Sequence, residues 1–395
     1  MPDSPATILV ILPTWVGDYV MATPLLRTLR SHFPESRMIY FHEPNLTDLI
    51  TGCPWPDHCI PLTPKNQRHM WHRSFRAIIG QLRREKIDLA VLLPNSFRAA
   101  MTAYLGGARQ RLGYDRDGRR WLLTQKVPVM NRRARNGDWQ RPTTNIDTPN
   151  PIWTPTDFAR RVAPALPVKP GRYVPMRMVD YYAGLAAAIG APHPGQQFEL
   201  HTTPQWDESI EDKLRAAGVD RNKKRIVLSP GARFGASKCW APEKFAATAD
   251  YLKNKYDAEI LITCGPGEEP IAQAIGNTMQ TQGHVLDEPR PSLGELKSLI
   301  KSCDLLLCND AGPRHFAKAF GKPVVTLYGP THPEWTATDY DQERIVRIDV
   351  DCGPCQQRIC PLEHHRCMTD LTVEMACQTV DELLQIAEKA NPEKR

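Results

Sequence analysis

Short apolar runs of strand length alternate with helical segments along most of this chain, and this alternation constrains the fold more than any other feature. Residues 8–12 are a continuous apolar run of this kind, residues 87–93 are predicted to be a buried strand, and a helix predicted at about 23–32 follows the first run. The alternation stops after residue 130 and restarts with a predicted strand at 225–228. Strands that alternate with helices are typical of parallel sheets with both faces covered. The sequence therefore predicts an α/β protein with two Rossmann-like domains.

A chain of 395 residues fits two domains, since one domain usually takes roughly 100–200 residues. Seven prolines fall within residues 131–171, which we interpret as a loop or partly ordered insert too long for a simple connection. Residues 190–203 read as a linker. We place the first domain at 1–200 and the second at 201–395, where the second includes a cysteine-rich tail and a last helix.

The formal net charge is +6, and the basic excess lies in the first half. Ten Lys or Arg and three Asp fall between Arg109 and Arg141, a bias that suits an anionic partner or forms a solvated face. No run approaches the roughly 18 apolar residues that span a bilayer, and the first apolar run lacks a basic leader. We expect a cytoplasmic protein whose eleven cysteines are reduced thiols or metal ligands.

Five polar or glycine-rich turns follow predicted strands, two in the first half and three in the second. They are residues 15–18, 94–96, 229–235, 309–312 and 329–331. Ligands of open α/β sheets bind beyond the carboxyl ends of the strands. The turns therefore predict a binding cleft between the two Rossmann-like halves.

The turn that contains Asp310 and Gly312 leads into a predicted helix near His315 and is a candidate phosphate site. The alternative is a plain turn with Asp310 as the helix N-cap. Lys238 could supply a positive charge for a diphosphate, or it could be a solvated surface lysine.

Asp18 is the candidate general base, because it lies on the turn after the first strand and a carboxylate can take a proton from an attacking hydroxyl. An N-cap role for Asp18 fits less well, since a cap stands immediately before the first turn and this helix is predicted from Thr23.

Common nucleotide and metal signatures are missing, including G-x-G-x-x-G, the P-loop and H-E-x-x-H. Two Asp-x-Asp triplets, at 115–117 and 349–351, resemble the metal-binding triplet of single-domain transferases, and we attribute both to chance. We therefore expect no metal in the cleft.

The tail carries Cys352, Cys355, Cys360 and Cys367 within sixteen residues. Four thiols can hold Zn²⁺ in a closed structural site, and C-x-x-C is a suitable spacing for two of the ligands. The later spacings fit no common zinc finger, so a packed set of reduced thiols remains the alternative.

Taken together, six stretches resemble glycosyltransferase family 9, the heptosyltransferases of lipopolysaccharide core synthesis, and are most similar to its heptosyltransferase II group. They are residues 12–18, 93–97, 111–114, 230–238, 309–312 with His315, and 327–331. Each stretch alone is modest, but all six in this order are specific.

The resemblance implies a GT-B fold, with two facing Rossmann-like domains, and an inverting transfer of heptose from ADP-heptose to the lipopolysaccharide inner core. It implies that Asp18 is the base and that Lys238 meets the donor diphosphate. The other donor-binding residues that it implies are Gly231, Glu268 at the adenosine end, Asp310, Ala311, Gly312, His315, Pro330 and Thr331. The acceptor-binding residues are Trp15, Asn95, Ser96 and Arg111. No cofactor is required.

The sequence departs from the family at Ala311, where Ser or Thr is usual, and at Cys239, where Arg is usual. Three readings compete with heptosyl transfer: another nucleotide sugar or acceptor, a non-catalytic nucleotide-sugar-binding protein, and, more distantly, nucleic-acid binding. We expect a monomer that binds no nucleic acid and contacts the inner-membrane surface through the basic residues from Arg109 to Arg135.

Overall fold

A computed structural model of the protein describes residues 4–62, 73–128, 152–153 and 176–390. Contacts between Cα atoms divide the chain into two units, residues 1–132 with 176–201 and residues 133–175 with 202–395. Residues 190–201 of the predicted linker thus belong to the first unit.

The first unit contains a six-stranded parallel sheet with the strand order β3-β2-β1-β4-β5-β6. Its strands are β1 (Thr7–Ile11), β2 (Arg37–His42), β3 (His58–Pro61), β4 (Leu89–Leu92), β5 (Gln110–Tyr114) and β6 (Gln125–Val127). This is the strand order of a Rossmann sheet, in which the direction of winding reverses between β1 and β4.

The second unit repeats the same order, β10-β9-β8-β11-β12-β13, and adds β7 antiparallel to β13 at one edge. Its strands are β7 (Ile152–Trp153), β8 (Arg225–Ser229), β9 (Glu259–Thr263), β10 (His284–Leu286), β11 (Leu305–Asn309), β12 (Val324–Tyr328) and β13 (Glu343–Arg347). The reversal falls between β8 and β11. The prediction of an α/β protein with two parallel sheets is confirmed.

Twelve α-helices connect these strands in the described part of the chain. In the first unit they are α1 (Val16–His32), α2 (Thr47–Ile50), α3 (Arg73–Arg84), α4 (Phe97–Leu105) and α5 (Met178–Ala188). In the second they are α6 (Pro204–Ala216), α7 (Pro242–Tyr256), α8 (Glu269–Thr278), α9 (Leu293–Ser302), α10 (Pro313–Ala319), α11 (Arg366–Thr369) and α12 (Val373–Ala390).

The helix after β1 begins seven residues earlier than predicted, at Val16 instead of Thr23. Pro24 therefore lies inside α1, where it cannot donate the backbone hydrogen bond to the carbonyl of Val20. The Thr23 hydroxyl donates to that carbonyl instead, at 2.7 Å. This local replacement explains why a helix can continue through a proline that the sequence suggests as a boundary.

Several elements escaped prediction because their sequences are short or only partly apolar, among them β3, β10, β13 and the helices α4, α6 and α8. The proline-rich insert lies outside the described residues except for Ile152–Trp153. These two residues pair with Val346 and Ile345 of β13 in the second sheet, although we predicted the insert to be part of a first domain ending at residue 200.

No helix in the described ranges is long and apolar enough to cross a membrane.

Candidate active site

The first unit has its candidate site at the switch point, where β1 and β4 lie side by side and their carboxyl ends meet one edge of the sheet. Asp18 follows β1 and Asn95 follows β4. Asp18 stands in the first turn of α1, not on the preceding loop as we predicted, because that helix already begins at Val16.

Asp18 is a carboxylate that no cation in the described part of the chain compensates. It is partly buried, and no hydrogen-bond or ion-pair partner is found for it within the described residues. Burial raises the pKa of Asp18 to about 6. A carboxyl group with a pKa near the working pH can exchange protons efficiently with a reacting hydroxyl. This environment gives Asp18 the properties of a general base.

The turn after β4 is held by Arg119, which is fully buried. Its Nη2 donates to Asn95 Oδ1 at 3.1 Å, and its Nη1 donates to the carbonyl of Pro94. The Tyr181 hydroxyl also donates to Asn95 Oδ1, at 3.0 Å, and the Tyr181 ring stacks on Tyr114 at 3.9 Å. These contacts fix the orientation of the Asn95 amide at the edge of the sheet.

The motif at residues 111–114 has a packing explanation. A Cβ on Gly113 would lie 3.1 Å from Arg119 Nη2, so the glycine makes room for the guanidinium. Arg119 and Tyr181 were missed from the sequence, because their partners are distant in the chain and no local pattern marks them.

The remaining candidate acceptor residues have different surroundings. Ser96 is the N-cap of α4, and its hydroxyl accepts from the Ala99 N–H at 3.2 Å. Trp15 is 45% exposed at the start of α1. Arg111 pairs with Ala90, near the amino end of β4, and its guanidinium donates to the carbonyls of Leu122 and Ala108. The structure therefore does not bring Arg111 to the edge that holds Asp18 and Asn95.

In the second unit, a small cradle forms at the carboxyl ends of β8 and β9. The Glu268 carboxylate accepts from the Gly265 N–H at 2.8 Å. A Cβ added to Gly231 would fall 1.8 Å from Glu268 Oε2, and one added to Gly265 would fall 2.7 Å from the same atom. Only glycines leave space for this carboxylate, which explains both residues and places Gly231 next to Glu268.

Lys238 and Asp310 form an ion pair beside this cradle. The Lys238 ammonium also donates to the Asp310 carbonyl at 3.1 Å and lies 4.9 Å from the centre of the Phe234 ring. Thr331 Oγ1 donates to Asp310 Oδ2 at 2.7 Å, and Arg314 Nη1 donates to Oδ1 at 3.2 Å. Asp310 is not the N-cap of α10, which was the alternative interpretation of this turn, because Gly312 occupies that position.

The ion pair belongs to a larger buried cluster. Arg314 Nη2 lies 2.6 Å from Glu343 Oε1, and Lys318 Nζ lies 2.5 Å from Glu343 Oε2. All three of these side chains are at most 2% exposed. The five side chains Lys238, Asp310, Arg314, Lys318 and Glu343 carry three positive and two negative charges, so the cluster has a net charge of one positive.

Electrostatics keep the cluster charged despite its burial. Burial alone would raise the pKa of Asp310, but the charges of Lys238 and Arg314 outweigh it and hold the pKa well below its usual range. Burial lowers the pKa of Lys318 to about 8, while Glu343 opposes the decrease. The cluster therefore retains its positive charge at neutral pH.

The other candidate donor residues divide into two groups. Ala311 and Gly312 are partly exposed at the carboxyl end of β11, and Thr331 is buried against Asp310. His315 is only 3% exposed, and burial with the nearby cations lowers its pKa well below the usual value. A neutral, buried His315 fits a packing role better than the predicted contact with the donor.

The cysteine-rich tail contacts the loops of this site. The Ser237 N–H donates to the carbonyl of Arg358 at 3.2 Å, and the Gln356 N–H donates to the carbonyl of Pro330 at 2.8 Å. Cys352, Cys355, Cys360 and Cys367 line one pocket with Ser237 and Pro330. In the described ranges no three His, Cys, Asp or Glu side chains stand in the arrangement of a formed metal site.

Aspartates of both Asp-x-Asp triplets form ion pairs with arginines close to them in sequence. Asp115 pairs with Arg120 at 3.4 Å, and Asp117 pairs with Arg116 at 3.6 Å. Asp349 pairs with Arg347 at 2.9 Å.

Comparison with known proteins identifies the family. The model of glycosyltransferase family 9 (heptosyltransferase) matches residues 170–366. The lipooligosaccharide heptosyltransferase 2 of Campylobacter jejuni is 25% identical over 382 residues, 96% of this chain and 98% of the relative. The lipopolysaccharide heptosyltransferase 2 of Escherichia coli is 25% identical over 384 residues, 95% of this chain and 98% of the relative. The chain belongs to glycosyltransferase family 9.

The fold agrees with this assignment. The solved structure of E. coli ADP-heptose LPS heptosyltransferase II superimposes with a TM-score of 0.70 at 22% identity, covering 97% of this chain and 99% of that one. The predicted GT-B fold is confirmed, and the family 9 protein is a glycosyltransferase.

In this family 9 transferase, the pKa of Asp18 has a consequence for stability. The folded-state pKa of about 6 lies above the ordinary value of 3.8, so the folded protein is destabilised when Asp18 ionises. We predict that Asp18→Asn raises the free energy of unfolding at pH 8 by about 1–3 kcal/mol, at 1.36 kcal/mol per pKa unit. This gain should shrink as the pH falls from 6 towards 4 and vanish only below about pH 3, where both states are protonated.

Urea unfolding at pH 4, 6 and 8 measures this difference, with Glu35→Gln, at an exposed carboxylate of the same unit, as the control. An Asp18→Asn variant that is less stable than wild type at pH 8 would show that the carboxylate has a stabilising partner.

Proposed function

We propose that the chain transfers L-glycero-D-manno-heptose from ADP-heptose to the inner core of lipopolysaccharide, with inversion at the anomeric carbon. The observation that carries this proposal is the contrast between the two switch points. One holds an uncompensated carboxylate with a raised pKa, and the other holds a buried cluster with a net positive charge. A base for the acceptor and a positive site for a diphosphate leaving group are the two requirements of direct glycosyl transfer.

In the proposed reaction, Asp18 accepts the proton of an acceptor hydroxyl while that oxygen attacks the anomeric carbon. The new C–O bond forms as the bond from the anomeric carbon to the donor phosphate breaks. The electron pair of that bond stays on the phosphate oxygen, so the departing ADP carries one more negative charge than the diphosphate of the bound donor. The Lys238 ammonium stabilises this negative charge. Because the ion pair with Asp310 already holds the ammonium in place, the lysine side chain needs little reorganisation during transfer.

The donor's adenosine end is assigned to the cradle around Glu268. Its carboxylate can accept hydrogen bonds from ribose hydroxyls beside the paired glycines, Gly231 and Gly265. Asn95, held by Arg119 and Tyr181, is the proposed contact for the acceptor sugar. The reaction as proposed takes no metal cofactor, because a protein cation faces the leaving group.

Two relatives that cover nearly the whole chain support this substrate class by their names, lipooligosaccharide and lipopolysaccharide heptosyltransferase 2. The alternatives are a transferase for another nucleotide sugar and a protein that binds a nucleotide sugar without reaction.

The substrate test offers the protein ADP-heptose, GDP-mannose and UDP-glucose, each with a core acceptor that carries one heptose and with one that carries none. We expect ADP release and a heptosylated product, detected by mass spectrometry, only with ADP-heptose and the acceptor that already carries heptose. Product from another donor would replace the proposed substrate. Binding of ADP-heptose without product on either acceptor would favour the non-catalytic reading.

The rate of transfer should depend on the ionisation of Asp18. Because the base must be deprotonated, we expect kcat to fall as the pH decreases through about 6. Asp18→Asn should reduce kcat by about 10²–10⁴-fold with little change in ADP affinity. A variant within a few-fold of wild-type activity would exclude Asp18 as the base.

Lys238→Ala tests the diphosphate contact. The substitution removes a charge that acts both on the bound donor and on the departing ADP, so we expect weaker ADP binding by calorimetry together with a lower kcat. The matched control is Lys301→Ala, which removes another lysine of the second unit from an ion pair with an aspartate, Asp207. Unchanged ADP binding in Lys238→Ala would refute the assignment.

Attachment to the membrane surface is proposed for the basic segment of the first unit. Arg109 and Arg120 have side chains that are 81% and 73% exposed, and Trp121, the residue after Arg120, is 73% exposed. Each such cation contributes on the order of 1 kcal/mol near an anionic surface, and salt screens the effect. Arg132, Arg133 and Arg135, which we expect to contribute as well, lie outside the described residues.

We predict that the protein sediments with anionic vesicles at low salt and is released at high salt. Arg109→Glu with Arg120→Glu should weaken sedimentation, whereas Arg215→Glu, a reversal at a 77% exposed arginine of the second unit, should not. Sedimentation that ignores both salt and the paired reversal would rule out electrostatic attachment by this segment.

A further inference from the structure

The segment between β13 and α11, residues 348–365, is irregular, and its apolar anchors lie at its start. It contains no strand and no helix. Ile348 and Val350 pack against the hydrophobic core, but Ile359 is 76% exposed and Leu362 56% exposed, so the large apolar side chains after residue 350 do not anchor it. Gln356, Glu363 and His365 have φ values of 58°, 59° and 49°, a region that residues other than glycine adopt rarely. Some other constraint must hold three such residues within ten positions.

Three cysteines of this segment and one that closely follows it lie near each other. Cys352, Cys355, Cys360 and Cys367 line a single pocket, although Cys367 belongs to the start of α11 and packs in the hydrophobic core. His364 also lines the pocket, with its Nε2 3.8 Å from the Cys352 Sγ. A fold that brings every cysteine of an irregular segment to one point indicates that the thiols act together.

The second histidine of the pocket is committed elsewhere. His365 Nε2 lies 2.7 Å from the carbonyl oxygen of Ser237. This hydrogen bond joins the segment to the loop after β8, residues 230–238, which carries Lys238. The four sulfurs therefore remain as the ligand set, and His364 stands beside them.

We propose that Cys352, Cys355, Cys360 and Cys367 bind one thiolate-preferring metal ion in tetrahedral geometry, with Zn²⁺ as the first choice and iron as the other metal of this chemistry. Each cysteine loses its proton on binding, and four sulfurs at about 2.3 Å surround the ion. The described cysteines are all free thiols without a disulfide, and the side chains do not yet have ligand spacing. Binding therefore requires the thiols to rotate towards the pocket, while the backbone already gathers them.

The site would act on the donor loops through direct contacts. Ser237 donates through its hydroxyl to the carbonyl of Gln357 at 2.6 Å and through its N–H to the carbonyl of Arg358. A Cβ on Gly235 would lie 2.3 Å from that same Arg358 oxygen, so the loop before Lys238 is fitted closely to the segment. On the other side, Gln356 holds Pro330, next to Thr331. A metal ion that orders the segment therefore also positions the loop that carries Lys238. The effect of this positioning on donor binding rests on the proposed function.

The first experiment measures metal in the wild-type protein, purified under reducing conditions and incubated with Zn²⁺ before gel filtration. Elemental analysis should find one zinc or iron ion per chain. Release of that ion should consume four equivalents of a mercurial thiol reagent, which binds each thiolate as the ion leaves, at thiols that were protected from a milder reagent. Iron would be recognised by its visible absorption, which Zn²⁺ lacks.

The second experiment compares variants. Cys352→Ser and Cys360→Ser should each lose the metal, whereas Cys59→Ser, at a partly buried cysteine of the first unit, should keep it. Removal of the metal from wild type should lower the melting temperature and weaken ADP binding, and Zn²⁺ should restore both. The wild-type measurements remain decisive even if a variant fails to fold.

A wild-type protein that retains no metal after incubation with Zn²⁺ or Fe²⁺, and whose tail thiols react as readily as Cys59, would overturn the proposal. A disulfide within the tail in the reduced, metal-treated protein, detected by mass, would overturn it too. Metal bound without any effect on ADP affinity would leave the site standing and remove only its link to the donor loops. Because metal content is measured without transfer, failure of the proposed reaction would not affect this result.

Discussion

The loops at the carboxyl edge of the second unit's sheet depend on the ion pairs and hydrogen bonds of the Asp310 carboxylate. It lies after β11 and joins Lys238 from the loop after β8, Thr331 from the loop after β12 and Arg314 from α10. Three segments that are distant in sequence thus meet at one buried anion. Leaving such a carboxylate unpaired would be costly, whereas surrounding it with hydrogen-bonding cations makes its position well determined. The donor-site loops are arranged by this compensation.

The two candidate centres use buried charge in opposite ways. Around Asp310 and Glu343 the positive charges exceed the negative, so the cluster is stable and still attracts an anion. Asp18 has no such compensation among the described residues, and its ionisation lowers the stability of the first unit at neutral pH. A residue whose charged form destabilises the folded protein is typical of a functional site. The two candidate centres therefore differ in that the carboxylate of the second unit is compensated, whereas that of the first unit is not compensated within the described residues.

Much of the architecture could be predicted because it depends on local patterns. Buried strands such as β8 and β9 have apolar centres, residues 226–228 and 260–262, and the turns that follow them mark the carboxyl edges of parallel sheets. The sequence does not show which charged side chains pair with each other in the folded protein. Glu343 lies on β13, a strand with two charged ends, and its pairing with Arg314 and Lys318 is set by tertiary packing. Arg111 and Asp310 were assigned contacts with substrates from motif position, yet their side chains are largely engaged within the protein. The roles of the site residues remain predictions.

The most direct measurement asks whether ADP affinity follows the net charge of the buried cluster. Lys318→Met removes one positive charge and leaves the cluster neutral, whereas Lys318→Met with Glu343→Gln removes one charge of each sign and keeps the net charge of one positive; both positions sit behind Arg314 rather than at Lys238. Calorimetry should show ADP binding weakened by about threefold to tenfold in the single variant and restored towards wild type in the double variant, while adenosine binding stays constant. Equal ADP affinity in two folded variants, or a parallel change in adenosine affinity, would contradict an electrostatic role of the cluster in binding the diphosphate.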